Sequence, residues 1–96
     1  MSKSSKFLRL TQNGGNMKIY DFNGNKNICG ARIKAARKKL KLSQENLAAK
    51  LQIEGVIIER DSVSRIEIGT RFVADYEIVA LCKVLNVTPA YLLGIG

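Results

Sequence analysis

Residues 42–69, LSQENLAAKLQIEGVIIERDSVSRIEIG, read as two short helices meeting at an angle, the second of them polar and Arg-bearing on its outer side. Ser43 is placed to cap a helix whose apolar residues Leu47, Ala48 and Leu51 fall on one face at helical spacing. The small Ala48 lies where another helix must approach closely. The second helix spans residues 61–68: Val63 and Ile66 point inward, Ser62, Ser64 and Arg65 point outward, and Gly69 supplies the left-handed cap that ends it. Asp61 reads as its N-cap. A row of short polar side chains and an arginine on an exposed helix face suits the major groove of a duplex.

Outward from this stretch the pattern stays helical. Ile33, Ala36 and Leu40 recur at spacings of three and four, predicting a first helix from Ile28 or Gly30 to Leu40. Asp75 is a predicted N-cap for a mostly apolar helix over 76–85, which Asn86 can end. Thr88-Pro89 then reads as a cap followed by proline at the first helical position, opening a short last helix through Leu93. The expected fold class is all-α, a compact five-helix domain over residues 28–96. Residues 1–27 differ, being rich in Asn, Gly, Ser and Lys with two apolar patches about Gln12-Asn13-Gly14-Gly15-Asn16. They predict either a short β-hairpin on the Asn-Gly turn or a basic arm able to track phosphates or enter a minor groove. That segment carries Lys3, Lys6, Arg9, Lys18 and Lys26 against Asp21, half of the whole chain's positive excess.

These residues resemble the lambda-repressor-like (Cro/XRE) helix-turn-helix family. Its pattern S-Q-x-x-L-A-x-x-L, then I-S-x-I-E-x-G, is matched by Ser43, Gln44, Leu47, Ala48, Leu51 and by Val63, Ser64, Ile66, Glu67, Gly69. The resemblance extends over residues 28–94 and departs from the family between Leu51 and Val63, where the connection is longer than the usual short turn and Gln52 stands in place of a turn glycine. The resemblance implies a dimeric protein on double-stranded DNA. It implies base-edge contacts from Arg60, Asp61, Ser62, Ser64 and Arg65, with Arg65 able to bond O6 and N7 of guanine together. It implies phosphate contacts from Ser43, Gln44, Thr70 and Arg71, and a structural ion pair between Arg37 and Glu67. Dimerisation through the last helices would involve Tyr91 and Leu92.

Charge agrees with a polyanionic partner. The 96 residues hold 16 Lys and Arg against 8 Asp and Glu, a net charge of +8, and Arg32, Lys34, Arg37, Lys38, Lys39 and Lys41 follow one another without an acid. There is no His, Cys29 and Cys82 are far apart, and no metal-ligand spacing, paired carboxylates or phosphate-cradling glycine loop is present, so no cofactor, metal, small-molecule ligand or enzymatic activity is expected. Cys82, in an apolar run, reads as a buried hydrophobe. No apolar run approaches the roughly 18 residues that span a bilayer, and the first residues lack the apolar core of a secretory signal, so a cytoplasmic location is expected. With only six aromatics, single-strand or RNA binding by base stacking is disfavoured. The expected function is sequence-specific transcriptional regulation, repression by a dimer. The alternative is an antitoxin or accessory interaction module that uses the same fold as a scaffold and binds a partner through Val56-Ile57-Ile58 or Leu92-Leu93. Of the Val56-Ile57-Ile58 run, core extension is the expectation.

Overall fold

The computed structural model describes residues 22–95, which form five helices and no sheet: α1 Gly30–Lys39, α2 Gln44–Ile53, α3 Arg60–Ile68, α4 Asp75–Leu85 and α5 Pro89–Leu93. The hairpin expected about Asn13-Gly14 lies outside the described residues. The turn that is seen uses the next Asn-Gly pair. Asn23 and Gly24 have φ of 53° and 83°, and Phe22 and Asn25 exchange N–H···O bonds of 2.6 and 2.9 Å, as in a two-residue hairpin turn.

Local chemistry sets several helix ends as expected. Ser43 Oγ accepts from the Asn46 N–H at 2.9 Å while Asn46 Oδ1 accepts from the Ser43 N–H at 3.2 Å, a reciprocal capping box that opens α2. Gly69 ends α3 in the left-handed region at φ 89°, and Asn86 ends α4 at φ 58°. Thr88 Oγ1 accepts from the Tyr91 N–H at 3.0 Å, with Pro89 at the first helical position.

Other ends differ from the sequence reading, each for a tertiary reason. Asp61 is not the N-cap of α3: Glu59 holds that position, with extended backbone and no side-chain cap bond. Ile58, 3% exposed, is drawn into the core and starts the helix early, which leaves Asp61 inside the first turn. Asp75 is likewise the first residue of α4 and not its cap. Ala74 caps it, and the Glu77 carboxylate accepts the Ala74 N–H at 2.9 Å. Leu40, expected in the core, is 44% exposed because α1 stops at Lys39 and Lys41 turns the chain away at φ 59°. The turn glycine missing at Gln52 is supplied three residues later: Gly55, at φ 88°, closes α2 with its N–H on Gln52 O and the Val56 N–H on Leu51 O. Of the branched run that follows, Ile58 is buried and Val56 packs on the core, but Ile57 is 77% exposed.

One core joins all five helices. Ile33 and Ala36 of α1, Leu47 and Leu51 of α2, Val63 and Ile66 of α3, Ala80, Leu81, Cys82 and Leu85 of α4 and Leu92 of α5 cluster with Cys29 and Ile58. Burial of each large aliphatic side chain among these contributes roughly 1.5–3 kcal/mol. α4 touches α1, α2 and α5, the central place its apolar composition predicts. Cys29 and Cys82 are both buried free thiols whose pKa burial pushes up, so they serve as small hydrophobes.

Polar contacts fix α3 within this core. Arg37 Nε donates to Glu67 Oε2 at 2.6 Å, its Nη2 to Glu67 Oε1 at 3.0 Å and its Nη1 to Leu42 O at 2.8 Å, while Gln44 Nε2 donates to Glu67 Oε1 at 3.0 Å. One carboxylate thus ties α3 to both α1 and α2. At the same C-terminal end of α3, Asn27 Nδ2 donates to Ile66 O at 3.0 Å and Arg71 O at 2.8 Å, and its Oδ1 accepts the Cys29 and Gly30 N–H groups that open α1. Gly30 is needed there because a Cβ would strike the Ile66 carbonyl oxygen.

Glu67→Ala strands the buried Arg37 guanidinium, and we expect a loss of about 3–5 kcal/mol in urea unfolding, a large share of the roughly 5–15 kcal/mol that holds a domain folded. Joint replacement of Arg37 and Glu67 by Met should recover most of that loss. For Glu77, burial pushes the carboxyl up, but the Arg71 guanidinium and the Ala74 N–H outweigh it and hold it below the ordinary 4.5. A carboxylate depressed on folding stabilises the fold above its unfolded pKa, and the contribution disappears as pH falls through the folded value. Urea midpoints should therefore fall on acidification below about pH 5, and Glu77→Gln should be less stable at neutral pH with a smaller acid-dependent drop.

Candidate nucleic-acid interface

Helical geometry divides α3 into two faces. Val63, Ile66 and Glu67 are buried, and at 100° per residue the opposite ridge carries Asp61, Arg65 and Ile68 at spacings of four and three. Ser62 and Ser64, both half-buried, flank that ridge, and Arg60 is exposed at the helix start. Arg60 Nη2 and Asp61 Oδ1 are 3.5 Å apart, with side chains 63% and 72% exposed. Such a pair contributes little to stability. Arg65 is exposed, and among the described residues its guanidinium has no hydrogen-bond or ion-pair partner. The five residues expected at base edges therefore lie along α3, with Arg60, Asp61 and Arg65 exposed and Ser62 and Ser64 half-buried.

The residues expected at the phosphates divide into two kinds. Ser43 is exposed, its hydroxyl oxygen accepts within the capping box, and its proton is free to donate to an anion beside the positive end of α2. Thr70 is exposed just beyond α3, where its hydroxyl donates to Arg65 O at 3.4 Å and its N–H to the same oxygen at 2.9 Å. Gln44 and Arg71, by contrast, are bonded inside the domain. Gln44 braces Glu67, and Arg71 donates from Nη1 to Glu77 Oε1 at 3.0 Å and Phe72 O at 2.8 Å and from Nη2 to Glu77 Oε2 at 3.2 Å. The loop after α3 is thereby locked onto the first turn of α4.

Of the basic run, Arg37 turns inward as the resemblance implies, and Arg32, Lys34, Lys38, Lys39 and Lys41 remain exposed. Lys38, Lys39 and Lys41 immediately precede the Ser43 cap, so uncommitted positive charge sits beside the start of α2. Asn27 was not legible as important, because its partners Ile66 and Arg71 are 39 and 44 residues away in the chain. Among the described residues no cluster of His, Cys, Asp or Glu could hold a metal ion, and no helix is long and apolar enough to cross a membrane.

Comparison with known proteins agrees with this geometry at the level of the domain. No curated protein and no solved structure matches the chain. The profile described as Helix-turn-helix matches residues 33–92, from the core of α1 to the buried Leu92 of α5, and so takes in the capped α2, the longer connection and the outward ridge of α3. By that match the chain belongs to the HTH_3 helix-turn-helix family, a DNA-binding domain type.

Proposed function

We propose that the protein is a sequence-specific double-stranded-DNA-binding transcriptional regulator of the lambda-repressor-like kind, acting in the cytoplasm as a homodimeric repressor. The observation that carries this reading is the exposed guanidinium of Arg65, without a partner among the described residues, on a helix whose other face is bolted to α1 and α2 through Glu67. A donor fork held on a rigid element is what bidentate reading of guanine requires. In this reading α3 lies in the major groove, and the duplex backbone is anchored by Ser43, the N–H groups at the start of α2 and the exposed lysines 38, 39 and 41, while Thr70 gives both its donors to Arg65 O and holds the end of α3. Gln44 and Arg71 serve by holding the reading helix and its following loop in place. A dimer would address two half-sites about one helical turn apart, roughly 34 Å, and so an approximate palindrome. Repression then follows from occlusion of a promoter, with no catalytic step.

A second reading, an antitoxin or accessory module that binds a protein partner, draws support from Ile53 and Ile57, which are 83% and 77% exposed around the longer connection. Polar substitution of those two residues abolishes function under that reading and leaves it intact under the first.

Titration of fluorescent duplexes at several salt concentrations tests the DNA reading. Affinity should fall steeply with salt, each neutralised phosphate adding about 0.9 to the log–log slope. Arg65→Ala should weaken binding to a selected site by about 1–3 kcal/mol more than binding to random duplex, which loses only the smaller share of one charge. Salt-independent binding, or equal loss on both duplexes, contradicts the proposal.

A further inference from the structure

We propose that two copies of this chain associate through the outward face of α4, packed antiparallel about a two-fold axis at Val79, so that Asp75 of each copy pairs with Lys83 of the other. This rests on the homodimer named in the reading above and assigns the surface that forms it.

Helical periodicity sets that face. At about 100° per residue, Asp75, Tyr76, Val79, Lys83 and the cap residue Asn86 fall within about 100° of one another, opposite the buried Glu77, Leu81 and Leu85. All five are exposed, Tyr76 and Val79 at 64% and 55%. No strong contact inside the domain occupies them. Among the described residues Asp75 has no ion-pair partner, and Lys83 Nζ lies 3.9 Å from Glu54 Oε1, with the two side chains 67% and 37% exposed. A pair so loose and so wet contributes little and is readily exchanged for another.

The order of these residues makes the face complementary to itself. A two-fold axis at Val79 sets each residue of one helix opposite the residue equally far along on the other side of Val79 in its partner. Asp75 and Lys83 lie four residues to either side, about 6 Å along the axis in each direction. Acid therefore meets base twice, Val79 meets its own copy, and the Tyr76 ring lies beside the aliphatic stem of the partner's Lys83. Antiparallel packing also sets the positive end of each helix dipole next to the negative end of the other. An isologous contact requires a patch with this symmetry.

Charge and burial disfavour the other helices. Two copies of a chain of net charge +8 repel unless the touching faces carry balanced charge. The exposed side of α1 carries Arg32, Lys34, Lys38 and Lys39 without an acid, so it opposes a second copy. Turned on itself about Ala49, α2 sets Glu45 against the partner's Ile53, a carboxylate against an aliphatic side chain. In α5, Leu92 is buried in its own core, which leaves Tyr91 as the large exposed hydrophobic of that helix.

Sedimentation equilibrium of the full chain, without DNA, tests the contact for the wild type, for Asp75→Lys, for Lys83→Glu and for an equal mixture of the two variants. Both substitutions fall on exposed residues, and circular dichroism should show unchanged helix content. In either variant alone both facing pairs become like-charged, and the dimer should weaken at least about tenfold. In the mixture, one copy of each variant restores opposite charges at both pairs, and dimer should return close to the wild-type amount. If the wild type is a dimer that either charge change leaves intact, or if the mixture stays as weak as its components, the proposal falls while the homodimer reading stands. If the wild type is a monomer throughout, the homodimer reading falls and takes this proposal with it, and the duplex titration decides the DNA reading separately.

Discussion

The buried pair of Arg37 and Glu67 is the constraint on which the arrangement of the domain depends. Their side chains are 9% and 1% exposed, and every donor that meets the Glu67 carboxylate comes from a different helix than its own. Desolvating two charges makes such a pair a weak source of net stability, but its geometry admits few alternatives. An aliphatic contact tolerates a few degrees of rotation of α3, whereas a carboxylate bonded by Nε, Nη2 and a glutamine amide does not. The guanidinium also takes Leu42 O, so the turn into α2 is set by the same group. Rotation of α3 about its axis, and with it the direction in which Arg65 points, is thus decided 30 residues earlier in the chain.

The two ends of α3 are held by different means. The end nearer Gly69 is fastened by Asn27, by the Lys26 N–H on Gly69 O and by the close approach that Gly30 permits. The start, at Arg60, has an N-cap without a side-chain bond and is positioned from behind by Ile58. The Arg60 and Asp61 side chains there are left to solvent. Under the proposed DNA reading, those groups stay available to the duplex.

How much of this was legible in the sequence depended on how local the cause was. Ser43, Gly69, Asn86 and Thr88-Pro89 were read correctly because a cap is decided by the residue itself and its neighbours three positions on. Asp61 and Asp75 have equally good cap chemistry, yet lost the position to Glu59 and Ala74. In the first case the burial of Ile58 fixed the start of the helix, and in the second the Glu77 carboxylate, held by Arg71, reached the Ala74 N–H. Leu40 kept perfect helical spacing but fell one residue beyond the end of α1. Of the residues read as outward on α3, Arg65 is exposed, but Ser62 and Ser64 are half-buried because they border the face that carries Val63, Ile66 and Glu67. The internal bonds of Gln44, and the clamp made by Asn27, were not legible, because their partners lie 23 to 44 residues away and no pattern in one sequence couples them.

The separation of the two faces of α3 also bears on how such a protein changes over evolutionary time. Asp61, Ser64 and Arg65 project from the helix without supporting it, and surface substitutions away from buried or capping features shift stability by only about half a kcal/mol. Under the proposed reading, lineages descended from this chain can therefore exchange those residues, and drift to new target sequences, while Glu67 and its partners stay unchanged. Divergence of regulatory wiring is in this way uncoupled from divergence of the fold.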